Sequence, residues 1–233
     1  MREFFEDTSS PRKAFEFNYA LGQAAFERTF QRFLANPHGP RLLAHKPSLA
    51  DAMADQPMLA AMPEGSLGRA YFEFVQQNGY QSLSLLELQH EVMATWADEL
   101  ECPPLDPDRA WFLDRFMVSH DLQHVVTGYG TDDLGEATLS AFILAQDAGF
   151  SSSILTLLAT GYAYYRFGWS WLRYVWSAWR RGRRARYLFA VPWEDLLPIP
   201  LETVRALLGI EPIHRAHPGG IWAAEFGPRL GTS

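Results

Sequence analysis

The chain has 233 residues, enough for one domain with a sizeable buried core. Apolar residues make up 48% and aromatic residues 14%, which excludes a disordered chain, and a formal net charge of −7 argues against a nucleic-acid partner. The single cysteine, Cys102, excludes an internal disulfide framework and fits a reducing compartment.

The N-terminal stretch is acidic at Glu3, Glu6 and Asp7 and has no apolar core of signal-peptide length, so we expect no export signal or organelle presequence. Ser10-Pro11 then predicts a helix start, with apolar periodicity to about Ala35. Two further starts are predicted by capping-box patterns, Ser48 with Asp51 and Ser84 with Glu87.

Asp106-Pro107 predicts the N-cap and first residue of a longer helix, which Gly128 should end. Further helices are expected at about 136–149, 153–181 and 201–208. Because strand-type alternation is scarce, we predict an all-α, single-domain multi-helix bundle over residues 1–233. Residues 191–233, rich in proline, should form an irregular C-terminal tail that wraps the helical body.

The longest uncharged run, residues 148–165, is at the lower edge of membrane-spanning length. It contains three serines and two glycines, and no second span flanks it. We therefore favour a buried core helix here.

The helix that should end at Gly128 carries ionisable residues on its apolar face. Counting by three and four from Leu113 places His120, Asp121 and His124 along one stripe. A buried carboxylate costs several kcal/mol unless it is paired or binds a metal. Two histidines at i and i+4 are typical of helical metal sites, and Glu136 can join them from the next helix.

The pattern therefore predicts a metal site made of His120, Asp121, His124 and Glu136. Its mixed nitrogen and oxygen ligands suit iron, zinc or manganese without choosing among them. A histidine alone on such a face is usually a hydrogen-bonded core residue. Asp132 and Asp133 are interpreted as solvated loop residues.

The motif also resembles a known family. His120-Asp121-x-x-His124, followed by eleven residues and Glu136, is similar to the metal-binding signature of the ubiquinone biosynthesis family called coenzyme Q biosynthesis protein 4. The resemblance extends over about residues 60–210. It includes PEGSLGRAYFEFVQQNGY (Pro63–Tyr80), Asp114-Arg115-Phe116 and the Trp-Glu segment within Trp179–Ile210.

The resemblance implies a role in making the quinone head group of ubiquinone from a polyprenylated benzoate precursor. One implied activity is a metal-dependent oxidative decarboxylation that replaces the ring carboxyl group by a hydroxyl. It would use one divalent ion (iron, zinc, manganese or magnesium) and dioxygen as co-substrate. The alternative is a non-catalytic lipid-binding scaffold that gathers the other ubiquinone-biosynthesis enzymes; a homodimer is left open.

A third function is a phosphohydrolase of the HD type, which also uses an adjacent His-Asp pair. His90 would be its upstream ligand and Asp147 its downstream one. That scheme gives His124 and Glu136 no role, so we rank it last.

Five of the 18 arginines lie within residues 180–186, and aromatic residues precede them at helical spacing. An aromatic stripe beside arginines is typical of a helix in an anionic membrane interface, although such stripes are more often core. The predicted membrane or partner patch comprises Trp169, Arg173, Trp176, Trp179, Arg180, Arg181, Arg183 and Arg184. We expect a cytoplasmic protein, peripheral on the cytoplasmic face of a bacterial inner membrane.

Overall fold

The computed structural model describes residues 11–78, 81–99, 105–146, 164–165 and 168–213. The described helices are α1 (Pro11–Ala35), α2 (Gly39–His45), α3 (Leu49–Ala54), α4 (Gln56–Ala61), α5 (Leu67–Asn78), α6 (Gln81–Glu99), α7 (Pro107–Thr127), α8 (Asp133–Leu144), α9 (Trp169–Arg184), α10 (Trp193–Leu196) and α11 (Leu201–Leu208). In the described part of the chain, β structure is limited to an isolated bridge between Ser66 and Pro200. The all-α class is confirmed.

Local signals set several helix ends where the sequence predicts them. The Ser48 side chain accepts a hydrogen bond from the Asp51 N–H at 3.1 Å and starts α3. Asp106 caps α7 in the same way, and Gly128, at φ 78°, ends it. The bounds of α1 and α11 also match their predictions.

Two predicted helix starts and one predicted continuous helix are wrong. Ser84 lies inside α6, which begins at Gln81, so Ser84 is not an N-cap. Helix α8 begins at Asp133 because the Asp132 carboxylate accepts hydrogen bonds from the N–H groups of Leu134 and Gly135, both at 3.2 Å. The helix expected over 153–181 is interrupted at Gly168, whose φ of 64° is not helical. Residues 147–163, which hold most of the long uncharged run, lie outside the described residues.

Helix α7 is central, because it packs against α3, α5, α6, α8 and α11. Phe112, Val118, Leu122 and Val126 on it are fully buried. From Ser119 to Thr127, every residue except His120 is buried. The helix end that carries the motif is therefore enclosed on nearly all sides, rather than along one stripe.

Helices α8 and α9 pack closely. A Cβ on Gly182 of α9 would lie 2.1 Å from the carbonyl oxygen of Phe142 on α8, so only glycine allows this approach. Buried Gln146 joins the same region, since its side-chain amide donates to the Arg186 carbonyl at 2.8 Å and accepts from the Leu188 N–H at 3.0 Å.

The described part of the predicted tail, residues 191–213, is largely helical and packs on the bundle. The N–H groups of Leu67 and Gly68, at the start of α5, donate to the carbonyls of Ile199 (2.9 Å) and Leu197 (2.7 Å). Trp193, Val204 and Leu208 are buried. Wrapping by the whole of 191–233 stays a prediction.

Of the helices in the described part of the chain, none combines the length and the apolar character needed to cross a membrane.

Candidate metal centre

Three of the four predicted ligands converge. The Nε2 atom of His124 lies 3.1 Å from Glu136 Oε1, and the Nε2 atom of His120 lies 3.6 Å from Glu136 Oε2. One donor atom from each of the three lies within 4.8 Å of the others. Ligand atoms that share one zinc-like ion at about 2.1 Å are roughly 3.0–3.4 Å apart. The distance from His124 to Glu136 lies in this range, and the distance from His120 to Glu136 is slightly longer, so His120 would move closer when an ion binds.

The buried histidine is oriented for such a role. The His124 side chain has no exposed surface, and its Nδ1–H donates to the Tyr129 carbonyl at 3.1 Å. That bond leaves Nε2 directed at Glu136, yet Nε2 makes no hydrogen bond of acceptable geometry to any described residue. A buried ring nitrogen beside a carboxylate, with its other nitrogen held by a carbonyl, is the arrangement of a metal-binding histidine.

Burial and the neighbouring charges shift the pKa values of His120, His124 and Glu136. Burial lowers the pKa of His124, but the contact with Glu136, the Glu136 charge, the Tyr129 carbonyl and Asp121 outweigh burial, so the pKa is raised. Burial raises the pKa of Glu136, but the contact with His124 and the charges of both histidines outweigh it, so the pKa is lowered. For His120, burial and then the charge of His124 keep the pKa below its ordinary value. A cation bound by His124 and Glu136 would take the place of a proton on the Nε2 atom of His124.

Asp121 occupies a different position. It is fully buried, but it is not one of the three side chains whose donor atoms converge. Its negative charge favours the protonated form of both histidines, although the pKa of His120 stays below its ordinary value because burial and His124 outweigh it. The structure therefore places Asp121 where it contributes charge to the cluster, and its ligation stays a prediction.

The loop between α7 and α8 brings Glu136 to the histidines. Gly128 turns the chain at positive φ, and its N–H donates to the His124 carbonyl at 2.7 Å. A Cβ on Gly135 would lie 2.0 Å from the Gly130 carbonyl oxygen, so glycine is required for the loop to lie on the first turn of α8. Asp132, interpreted from sequence as a solvated loop residue, caps that turn.

Two buried arginines that sequence reasoning did not assign to the site hold α7 in place. Arg205 of α11 donates to the carbonyls of Val125 and Val126, both at 2.9 Å, and so satisfies the C-terminal end of α7. Arg115 donates to both carboxylate oxygens of Glu194, at 2.6 and 2.9 Å. The Asp-Arg-Phe segment and the Trp-Glu segment, which are far apart in the sequence, thus contact each other.

The predicted patch lies mainly on the outer face of α9. Trp169 is 73% exposed and Trp176 58% exposed, and Trp179 is half-buried with its ring 4.9 Å from that of Trp176. The exposed arginines are Arg173, Arg180, Arg183 and Arg184. We call Trp169, Arg173, Trp176 and Arg180 the outer face of α9. Arg181 points inward, since its Nη1 donates to the Tyr129 hydroxyl at 2.9 Å.

The residues proposed for a phosphohydrolase do not join the cluster. His90 lies on α6, and its Nε2 contacts Asp114 at 2.8 Å. The convergent group in the described residues does not include it. Asp147 lies outside the described residues.

Comparison with known proteins decides the family. The model of the family described as coenzyme Q (ubiquinone) biosynthesis protein Coq4 matches residues 16–214. The chain belongs to the Coq4 family. The predicted family is confirmed.

Among curated relatives, the mitochondrial ubiquinone biosynthesis protein COQ4 of Pyricularia oryzae is 28% identical over 186 residues, covering 77% of this chain and 55% of that protein. The COQ4 homolog of Drosophila ananassae, also mitochondrial, is 28% identical over 204 residues, covering 83% and 68%. A crystal structure of a protein from Nostoc punctiforme PCC 73102 superposes with a TM-score of 0.65 at 21% identity, covering 88% of this chain and 90% of that one, and shows the same fold.

The expected location on the cytoplasmic face of a bacterial inner membrane is wrong by this comparison. The curated relatives named above are mitochondrial proteins of a fungus and a fly, and further relatives from the fungi Talaromyces stipitatus and Yarrowia lipolytica are also mitochondrial. The expectation rested on an aromatic and arginine-rich helix face. Such a face responds to anionic charge and an apolar interior, which bacterial and mitochondrial membranes share, so it could not distinguish them.

Proposed function

We propose that this Coq4 chain is a metal-dependent oxidative decarboxylase that acts on the ring of a polyprenylated benzoate in ubiquinone biosynthesis. The convergence of His120 and His124 on Glu136, at 3.6 and 3.1 Å, carries the proposal. The chain spans 55% and 64% of the length of two of its curated relatives. The proposed activity therefore depends on the chain's own site and not on what those longer proteins do.

The ligand set leaves room for a substrate. Two nitrogens and one carboxylate occupy part of a metal's coordination sphere, as in mononuclear iron oxygenases. His120 and Glu136 keep 34% and 35% of their side-chain surface exposed, whereas His124 has none exposed. A substrate therefore approaches from the side of His120 and Glu136.

The residues around the cluster suit an aromatic acid. The ring of Phe74 stacks on His124 at 5.9 Å and forms an apolar wall beside it. A divalent ion held by His120, His124 and Glu136 would supply the positive charge that a phenolate and a carboxylate need. A bound divalent ion (iron, zinc, manganese or magnesium) supplies a Lewis acid, and iron or manganese also supplies redox chemistry with dioxygen.

The overall change is a two-electron oxidation of the ring. The bond from the ring to its carboxyl carbon breaks and carbon dioxide leaves. A carbon–oxygen bond forms at the same ring carbon, with the oxygen atom supplied by water. Dioxygen accepts the two electrons and two protons and leaves as hydrogen peroxide. The chain's own residues bind and orient the ring acid and exclude water around His124.

The outer face of α9 gives the chain a way to reach a substrate with a lipid tail. Its two tryptophans are 73% and 58% exposed, and its arginines are exposed beside them. Tryptophan favours the interface of a lipid bilayer and arginine favours anionic head groups. We propose that this face binds an anionic phospholipid surface.

The same face supports a second function, a lipid-binding scaffold for other ubiquinone-biosynthesis enzymes. A scaffold needs the exposed face but not the donor cluster. In this second function the chain would bind other ubiquinone-biosynthesis enzymes, and a homodimer would be compatible with it. The two functions differ in whether the cluster is required.

The test uses a polyprenylated ring acid labelled at its carboxyl carbon, incubated with iron-loaded protein under air and under nitrogen. We expect labelled carbon dioxide and ring-hydroxylated product under air only, and neither from Glu136→Ala. Failure of the wild type to release label, together with normal quinone synthesis in cells that carry Glu136→Ala, would remove the enzymatic function and leave the scaffold.

A further inference from the structure

A histidine that binds a metal through Nε2 depends on what holds its Nδ1. Such histidines donate the second ring N–H to a carboxylate, a carbonyl or water, and changing that partner costs about 10–100-fold in metal affinity. In this chain the partner of His124 is the backbone carbonyl of Tyr129, at 3.1 Å. The position of one carbonyl in the loop after α7 therefore sets the direction of Nε2.

The side chain of Tyr129 is anchored from the other side of the loop. Tyr129 is 3% exposed, and its hydroxyl accepts a hydrogen bond from Nη1 of Arg181 at 2.9 Å. The Arg181 guanidinium also lies over the Tyr129 ring, 5.1 Å from its centroid. Both contacts fix the ring, and the ring fixes the backbone to which the carbonyl belongs.

Arg181 is itself held at both ends of its guanidinium group. Nη1 binds the Tyr129 hydroxyl, and Nη2 donates to the backbone carbonyl of Glu211. Arg181 is thus the link between α9, the segment after α11 and the loop that orients His124. Its neighbour Arg180 on α9 is exposed.

We infer that Arg181 is a positioning residue for the metal centre: through Tyr129 it keeps the loop carbonyl in place, so that His124 holds its proton on Nδ1 and presents Nε2 to the ion. This inference rests on the proposed metal-binding function. It assigns Arg181 a role different from that of the arginines on the outer face of α9.

The test compares Arg181→Met and Tyr129→Phe with Arg186→Met, which removes the same charge from an exposed arginine just beyond α9. Tyr129→Phe keeps the buried ring and removes only the hydroxyl that accepts from Arg181. Zinc affinity is measured by competition with a chromophoric chelator. The visible spectrum of the cobalt(II) form reports the geometry of the ligands.

We expect zinc affinity to fall about 10-fold or more in Arg181→Met and by a smaller factor in Tyr129→Phe, with an altered cobalt spectrum in both. Arg186→Met should match the wild type. A change in stability alone would lower the melting temperature without altering the cobalt spectrum. Should Arg181→Met fail to fold, Tyr129→Phe provides the same two readouts.

A second readout needs no metal. In ¹H–¹⁵N spectra of metal-free protein, the Nδ1–H of His124 should give a protected, downfield signal that is lost in Arg181→Met and kept in Arg186→Met. If this holds while zinc binds to none of the proteins, the proposed metal function fails and the positioning role stands. An unchanged signal, affinity and cobalt spectrum in both Arg181→Met and Tyr129→Phe would overturn the inference.

Discussion

The buried end of α7 and the outer face of α9 both combine charged and apolar residues, but they hold their charges in opposite ways. At the end of α7, internal partners hold the groups in place: His124 donates to Tyr129, and Arg205 donates to Val125 and Val126. On α9, Arg173 and Arg180 are exposed beside exposed tryptophans. The first region fixes the positions of its polar groups through hydrogen bonds, whereas the second presents positive charge and an apolar surface without such partners among the contacts described.

This difference implies two patterns of sensitivity. Substitutions at the end of α7 should abolish function or cost several kcal/mol, because each buried group has few alternatives. Substitutions on the outer face of α9 should act in small, additive steps, because exposed charges contribute individually little.

The largest effect is expected from the cluster itself. His124→Ala should reduce quinone synthesis to background in cells that depend on this chain, because it removes the buried ligand. His90→Ala should leave synthesis unchanged, since His90 sits in a partly exposed pair with Asp114. Quinone content is measured by chromatography of lipid extracts. Quinone synthesis at the wild-type level in His124→Ala would contradict the expectation that the end of α7 is the more sensitive region.

The second largest effect is expected at the ion pair between Arg115 of α7 and Glu194 of the Trp-Glu segment. Glu194→Ala leaves Arg115, whose side chain is 3% exposed, with a buried charge, and should lower the free energy of unfolding by about 3 kcal/mol. Glu202→Ala is the control, because Glu202 is 51% exposed and Arg205 keeps its two carbonyl acceptors; it should cost less than about 1 kcal/mol. Denaturant titration measures both. Equal losses would mean that burial does not set the sensitivity.

Two glycines separate stability from metal binding. Gly135→Ala and Gly182→Ala each place a Cβ about 2 Å from a backbone carbonyl oxygen, of Gly130 and Phe142 respectively, and each should cost about 1–3 kcal/mol. Gly135→Ala should also weaken zinc binding, because it directly displaces the turn that carries Glu136, whereas Gly182→Ala can reach the site only through its neighbour Arg181 and should weaken zinc binding less. Equal zinc affinities in the two variants would argue against a precisely held loop.

The smallest effects belong to the outer face of α9. Arg173→Gln should weaken binding to vesicles with anionic phospholipid by about fivefold, the equivalent of about 1 kcal/mol, with no change in metal content. Arg28→Gln, the same change at an exposed site on α1, is the control. Co-sedimentation with vesicles measures both. Identical binding by the two variants would leave the outer face without a role in membrane contact.

The contrast also explains what the sequence could predict. Caps at Ser48, Asp106 and Gly128 depend on neighbours within a few residues, so their patterns predicted the ends of α3 and α7. The His-Asp-x-x-His spacing placed two histidines on adjacent turns. These features follow from local backbone geometry and need no knowledge of the tertiary fold.

Features that depend on distant residues were not predictable. The pairing of Arg115 with Glu194 spans 79 positions, and that of Arg181 with Tyr129 spans 52. Arg181 was grouped with its exposed neighbours because composition does not show which arginine of a run turns inward. The tyrosine directly after the Gly128 turn was the available signal, since a large aromatic residue there must be buried against something.

The central claim, that His120, His124 and Glu136 bind a divalent metal, is tested most directly by elemental analysis after anaerobic purification. We predict about one divalent ion per wild-type chain, as for a preformed three-ligand site, and a small fraction of that in Glu136→Ala purified in parallel. Wild-type protein without metal, or Glu136→Ala with the same content as the wild type, would contradict the claim.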